Sequence, residues 1–239
     1  MDSLIKKTIL VLFFFLPLFS HAAISLDATS VSGCTTCASV TYNHTEVGSP
    51  NLACVGNTAR ALTSTITYGV TSLTSQVSDI TSSWSSIWCA PIALTGVQSV
   101  VVTEGSIGDH IGVTTWTFLA AGTVYKGASG VDSTDNGSAP SISLTTQNAN
   151  SIIIDQVGLN GEGRTITKGA SQTLVENDTY GSGAKNQNSS YRVSTTVGSY
   201  TMTWSVGNGA VDYGYSAMEV MGDPAGASSP KDTMIFSDF

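Results

Sequence analysis

Residues 200–206 read YTMTWSV, and this stretch decides the fold class. Tyr200, Met202, Trp204 and Val206 occupy every second position, and hydroxyl residues stand between them. A period of two places alternate side chains on opposite faces of a β-strand, so the segment predicts a strand with one face buried. The same alternation recurs in segments 39–45, 66–70 and 115–118.

Other segments complete an all-β pattern. Three apolar runs, at 52–55, 99–102 and 151–154, predict central strands that are covered on both faces. Gly- and Asn-containing turn signals separate roughly 12 to 14 strands, and no segment carries a helical stripe. We therefore predict an all-β fold, a two-sheet antiparallel β-sandwich of jelly-roll type. No internal repeat at a fixed period is visible. Residues 158–190 look like a long polar excursion with at most two weak strands.

The two ends predict an exported protein with a tail. Residues 1–22 are typical of a signal peptide, with Lys6 and Lys7 before an apolar stretch and a small residue, Ala22, at the cleavage position. We predict a β-sandwich domain over 23–221 and a flexible tail over 222–239. The expected location is secreted, extracellular or at the cell surface, with no membrane insertion after signal cleavage.

Charge restricts the partners. The chain has 9 basic and 17 acidic side chains and a net charge of −8, and only 11% of its residues are charged. A chain this poor in Lys and Arg lacks the basic surface that binds phosphates, so nucleic acid and anionic lipid are excluded as expected partners.

The four cysteines are Cys34, Cys37, Cys54 and Cys89. Disulfides persist in an oxidising compartment, whereas a zinc site would need a second close pair or nearby histidines. We favour a Cys34–Cys37 loop staple and a Cys54–Cys89 bond between strands. Three pairings of four cysteines remain open at this point.

A recurring order of segments resembles a known type of domain. The segments are NLACVGNTAR, TITYGVTSLT, IWCAPIALTGVQSVVVT, GVDSTDNGSAPSISLTTQNANSIIIDQV and YTMTWSV. This order is similar to that of secreted bacterial and metagenomic surface-protein domains with a YGG strand pair, a Y-L-V-A-P strand and a GVD loop. The resemblance implies a concanavalin/LamG-like jelly roll without an assigned catalytic activity. Cys54 and Cys89 stand where that family usually has aliphatic residues, which supports their pairing.

One segment suggests a metal site. Asp132, Thr134 and Asn136 offer oxygen atoms at alternate positions before Gly137, as in the start of a calcium loop. Ser143 stands where such a loop would need its bidentate Glu. An ordinary turn is the alternative interpretation, since Asp, Asn and Gly favour turns without any metal. Calcium is the only cofactor that the sequence suggests.

Other candidate residues have weaker context. Trp84 and Tyr180 are candidates for stacking on sugars, while Trp116 and Trp204 follow apolar faces and are expected in the core. His44 is expected to be a structural residue, and Asp109–His110 has no accompanying nucleophile. Paired carboxylates could cleave glycosides, but none of the available ones lies in a telling motif: Glu104, Asp155, Glu162 and Glu219. We therefore predict no catalytic residue.

These observations lead to two expected functions. The first is a non-enzymatic exported structural or adhesive protein of the cell surface or extracellular matrix, with itself as partner in a homopolymer. Its C-terminal MIFSDF segment would then be a candidate donated strand. The alternative is a lectin-like module that binds surface glycans with calcium.

Overall fold

The computed structural model describes residues 23–59, 63–79, 85–105, 110–120, 124–161, 164–180 and 185–222. The predicted signal peptide, the tail after Gly222 and Trp84 lie outside these residues. Within them the chain forms strands and no helix, so none of them forms a helix that could cross a membrane. The strands are β1 (Ile24–Thr35), β2 (Ser39–Thr45), β3 (Leu52–Ala59), β4 (Thr63–Tyr68), β5 (Thr71–Ser72), β6 (Thr74–Ser78), β7 (Ser86–Pro91), β8 (Val97–Glu104), β9 (His110–Ala120), β10 (Val124–Gly137), β11 (Ser141–Thr145), β12 (Ser151–Asn160), β13 (Ile166–Lys168), β14 (Thr173–Tyr180), β15 (Lys185–Ser194), β16 (Ser199–Val206) and β17 (Val211–Gly222).

The described strands form four antiparallel sheets. Two of them, called inner, pack against each other, and each is covered on its other face by one outer sheet. The first outer sheet has the order β2-β8-β4-β5, and the first inner sheet has the order β1-β9-β3-β7-β6. The second inner sheet has the order β10-β17-β12-β15-β14, and the second outer sheet has the order β11-β16-β13. The prediction of an all-β antiparallel sandwich is confirmed.

The predicted jelly roll occurs twice. In the first sandwich, β1 to β9, the chain passes back and forth between the outer and the inner sheet, and its first and last strands pair at one edge. The second sandwich, β10 to β17, has the same order: β10, β17, β12, β15 and β14 take the places of β1, β9, β3, β7 and β6. The chain is therefore a tandem of two topologically equivalent sandwiches.

The pairing registers repeat as well. Cys54 pairs with Trp116 in the first inner sheet, and Ile154 pairs with Met218 in the second. Positions in β1 to β3 thus have counterparts 100 residues later, and positions in β7 to β9 have counterparts 102 residues later. Even the irregularity after Leu26 in β1 recurs after Lys126 in β10. Counterparts such as Val55 and Asp155 differ chemically, so sequence periodicity did not reveal the duplication.

Three apolar cores separate the four layers. One lies between the first outer and inner sheets and includes Tyr68, and one lies between the second pair and includes Trp204. The third lies between the two inner sheets and includes Trp116 and Phe118. Trp116 and Trp204 have 0% and 2% of their surface exposed, which confirms their predicted core positions. Sheets pack about 10 Å apart, so the molecule is a stack of four tightly packed layers.

The two sandwiches meet across an approximate two-fold axis. β3 contacts its own counterpart β12, whereas β1 contacts β14 and β10 contacts β6. At the centre, Gln156 of β12 covers Gly56 of β3, where a Cβ atom would lie 2.5 Å from the Gln156 Oε1 atom. Two large side chains at these equivalent positions would collide at the axis. The pair of one small and one large residue lets the inner sheets close.

The segment 158–190 is more ordered than predicted. We expected a polar excursion with weak strands near residues 165–167 and 173–175. The structure has a strand at both places, β13 and the eight-residue β14, and it adds the start of the ten-residue strand β15. β15 was missed because it is polar yet buried: Gln187, Asn188, Ser189 and Ser190 are each 0% exposed.

Both expected disulfides are present. Cys34 is bonded to Cys37, and Cys54 to Cys89. Cys54 and Cys89 are direct cross-strand partners in β3 and β7. The first bond closes the turn between β1 and β2, and the second joins two neighbouring strands of the first inner sheet.

Gly112 tests the fit between the sandwiches. A Cβ atom there would lie 1.3 Å from Gln187 Oε1 of the opposite inner sheet, so Gly112→Ala must displace that side chain. We expect a loss of roughly 1 to 3 kcal/mol in the free energy of unfolding, measured by urea titration. Gly198→Ala is the control, because nothing lies within 4 Å of its Cβ position. Equal stability of the two variants would contradict this packing.

Candidate functional site

A polar belt joins the two inner sheets beside their apolar core. Thr114 of β9 has its Oγ1 atom 2.7 Å from Glu176 Oε2 and 2.9 Å from Ser189 Oγ. Gln187 donates to Glu176 and, at 3.3 Å, to Thr114, and it accepts from Thr58 at 3.2 Å. Each of these side chains is almost completely buried. The belt therefore fixes one sandwich against the other by directional bonds.

The second sandwich contains a buried carboxylate. Asp155 is 0% exposed, and it accepts hydrogen bonds from five donors. Its Oδ1 atom accepts from the Ser190 N–H and hydroxyl, both at 2.7 Å. Its Oδ2 atom accepts from Tyr215 OH at 2.7 Å and from Trp204 Nε1 and Gln172 Nε2 at 3.1 Å. Burial raises the pKa of Asp155 from 3.8 to about 6, and the hydrogen bonds oppose that rise.

The first sandwich has no such group at this place. The counterparts of Asp155, Trp204 and Tyr215 are Val55, Val102 and Val113, and all three valines lie in the core. Three neighbouring positions therefore differ together between the sandwiches. Both arrangements suit a buried environment, because the valines make apolar contacts and the carboxylate is surrounded by hydrogen-bond donors.

A chain of hydrogen bonds runs through His44. Thr117 donates to Asp27 Oδ2 at 3.1 Å, so its oxygen accepts from His44 Nε2 at 3.1 Å. His44 Nδ1 lies 2.9 Å from the Ser30 hydroxyl, which donates to it when the ring is neutral. Burial lowers the pKa of His44 from 6.5 to about 4, against the attraction of Asp27. His44 is fully buried, as expected of a structural residue.

Two carboxylates hold equivalent loops from different strands. Asp27 of β1 accepts from the N–H groups of Val47 and Gly48, at 3.2 and 2.7 Å. Glu219 of β17 accepts from the N–H groups at the counterpart positions, Gln147 at 3.0 Å and Asn148 at 3.2 Å. The counterpart of Asp27 is Gly127, where a Cβ atom would lie 2.2 Å from Glu219 Oε2. The loop anchor has thus moved from one strand to its neighbour.

The calcium candidates lie on an edge strand. Asp132, Thr134 and Asn136 belong to β10. Asp132 Oδ2 already accepts from the Ser141 N–H at 2.8 Å and from Tyr213 OH at 3.0 Å. Among the described side chains, no group of three or more His, Cys, Asp or Glu residues is arranged to hold a metal. Calcium binding remains a prediction.

The other candidates are dispersed. Tyr180 ends β14, and Trp84, Asp109 and Glu162 lie outside the described residues. Glu104 and His110 are buried at the end of β8 and the start of β9. Among these candidate carboxylates, Asp155 and Glu219 accept hydrogen bonds that hold strands and a loop together. Sequence reasoning named both as carboxylates but had no signal for their partners, which come from distant strands.

Comparison with known proteins does not identify the chain. No protein-family model, no curated protein sequence and no solved structure matches it. The resemblance to the bacterial surface-protein domain therefore stays a prediction.

The pH dependence of stability tests both buried groups. Because the pKa of Asp155 is raised, its contribution is full below about pH 4 and is lost as the pH rises through 6. Because the pKa of His44 is lowered, its contribution is full above about pH 6.5 and is lost as the pH falls through 4. The two effects oppose each other between these values.

We expect opposite pH slopes from Asp155→Asn and His44→Gln. Relative to the unsubstituted chain, the first variant should gain roughly 2 kcal/mol of unfolding free energy between pH 4 and pH 6. The second should gain as the pH falls over the same interval. Chemical denaturation at several pH values measures both, and parallel curves for all three proteins would refute the assigned environments.

Proposed function

We propose that this protein is an exported, non-enzymatic structural or adhesive protein of the cell surface or extracellular matrix that assembles with copies of itself. One observation carries the proposal. The buried or bonded groups Asp27, His44, Asp155 and Glu219 each hold loops or strands together. Their chemistry serves the rigidity of the fold.

The architecture supports a load-bearing role. Four sheets are stacked through three apolar cores, the two inner sheets are joined by the polar belt, and two disulfides tie neighbouring segments. Apolar packing, hydrogen bonds and covalent bonds thus hold the described strands to one another. It suits a building block better than a protein that must open around a substrate.

The outer surfaces support adhesion. Every outward-facing strand position of the second outer sheet is Ser or Thr: Ser141, Ser143, Thr145, Thr167, Ser199, Thr201, Thr203 and Ser205. They form cross-strand pairs such as Ser143 and Thr201, whose hydroxyls are 2.9 Å apart. This face is an uncharged grid of hydroxyl groups. It favours neutral hydroxylated partners, so surface glycans are the second candidate.

Electron microscopy tests the structural role. The chain, purified from the exported fraction of an expression host, should form ordered filaments or sheets at raised concentration. Assembly should persist when calcium is removed, because the apolar cores and the polar belt hold the sheets together. Single dispersed particles under every condition would contradict self-assembly.

Pull-down with insoluble cellulose and chitin tests the adhesive alternative. Thr201→Lys places a long charged side chain in the middle of the hydroxyl grid and should weaken retention by about tenfold or more. Val47→Lys, at an 83% exposed loop position outside the grid, is the matched control. Equal retention of both variants would remove the grid as a binding face. If chelation abolishes retention and Asp132→Ala has the same effect, calcium takes part in binding.

A further inference from the structure

Each sandwich ends in an edge where its first strand has a neighbour on one side only. In the first sandwich this edge consists of β1 in the inner sheet and β2 in the outer sheet. In the second it consists of β10 and β11. Unpaired N–H and C=O groups on such strands can pair with another chain, and proteins usually block them. The tandem therefore offers two equivalent edges on one molecule, whose protection can be compared directly.

The edge of the second sandwich is blocked. β10 carries Lys126, Asp132 and Asp135, and charged residues on an edge strand oppose pairing. Its register is irregular in two places, between Lys126 and Ser129 and between Thr134 and Gly137. β11 is only five residues long. These are the devices that keep edge strands from associating.

The edge of the first sandwich has fewer of these devices, because β1 shares only the first irregularity, between Leu26 and Ala28, and has none like that between Thr134 and Gly137. From Ala28 to Thr35, β1 is uncharged, contains no proline and keeps a regular register with β9. Its one carboxylate, Asp27, is engaged with Val47, Gly48 and Thr117. The seven residues of the neighbouring β2 carry no charge and pair in regular register with β8. His44 of β2, which bonds Ser30 of β1, keeps the two edge strands together.

We propose that β1 pairs antiparallel with β1 of a second copy, so that two first inner sheets become one continuous sheet across a two-fold axis near Val31. This interface rests on the proposed function and names the surface through which assembly begins. Val31 is 41% exposed on the edge, and pairing brings it beside the same residue of the partner. The contact is isologous, so the same patch serves on both molecules.

Charge favours a second copy as the occupant. Two molecules of this chain, each with a net charge of −8, repel each other, but residues 28–35 and β2 carry no net charge. The equivalent contact through β10 would bring the Asp132 residues of two copies close to each other. Self-association is therefore directed to the first edge.

Sedimentation velocity across a concentration series tests the proposal. The unsubstituted chain should associate, and Val31→Lys should raise the dissociation constant at least about tenfold, since an edge lysine opposes strand pairing. Val131→Lys is the matched control, because Val131 is the counterpart of Val31 and is 49% exposed. Val70→Lys, at a 92% exposed turn position, controls for the added charge. Equal melting temperatures ensure that every variant is folded.

The outcomes separate the edge from the function. Dissociation by Val31→Lys with both controls still associated supports the β1 interface. Association that Val131→Lys weakens as much as Val31→Lys, or that neither affects, overturns this interface but leaves self-assembly intact. A monomer at every concentration overturns both.

A cysteine scan gives an independent readout. In an antiparallel isologous pair, a residue near the axis lies opposite itself, so Val31→Cys should form an interchain disulfide more readily than Val131→Cys under mild oxidation. Cross-linking at both positions alike would contradict the assigned axis.

Discussion

The contact between the two inner sheets is the constraint on which the rest of the structure depends. Each inner sheet is covered on its far face by its own outer sheet, so the remaining face must be buried against the other sandwich. Gln156 over Gly56 and Gln187 over Gly112 show how closely the two faces fit. This contact also fixes which edges stay open, because β1 and β10 end up on opposite sides of the approximate axis.

Comparison of the two sandwiches separates what the jelly roll requires from what each copy adds. Both keep the same registers and an irregularity at the same place in the first strand. They differ where chemistry is local: three core valines on one side correspond to Asp155, Trp204 and Tyr215 on the other. They also differ in the protection of their edges. Because the fold accepts different residues in its cores, the edges and outer faces can differ between the two sandwiches and serve in binding or assembly.

Alternation of apolar and hydroxyl residues was sufficient to predict the fold class, because segments such as 200–206 carry the period of a half-buried strand. It failed for β15, where Gln187 and Ser189 are buried by partners from the other sandwich and local polarity indicates a loop. Duplication was invisible because counterparts such as His44 and Leu144 share burial but not identity. Asp155 stood out in the sequence only as a carboxylate. Its hydrogen-bond donors lie just before β14 and in β15, β16 and β17, and only the fold brings them together.

Hydrogen–deuterium exchange at low and high protein concentration tests the central claim most directly, since it reads the backbone N–H groups of each edge without any substitution. We predict that exchange in β1 slows as the concentration rises, while exchange in β10 stays unchanged. Equal slowing in both strands, or slowing in β10 alone, would contradict an assembly that begins at the first edge.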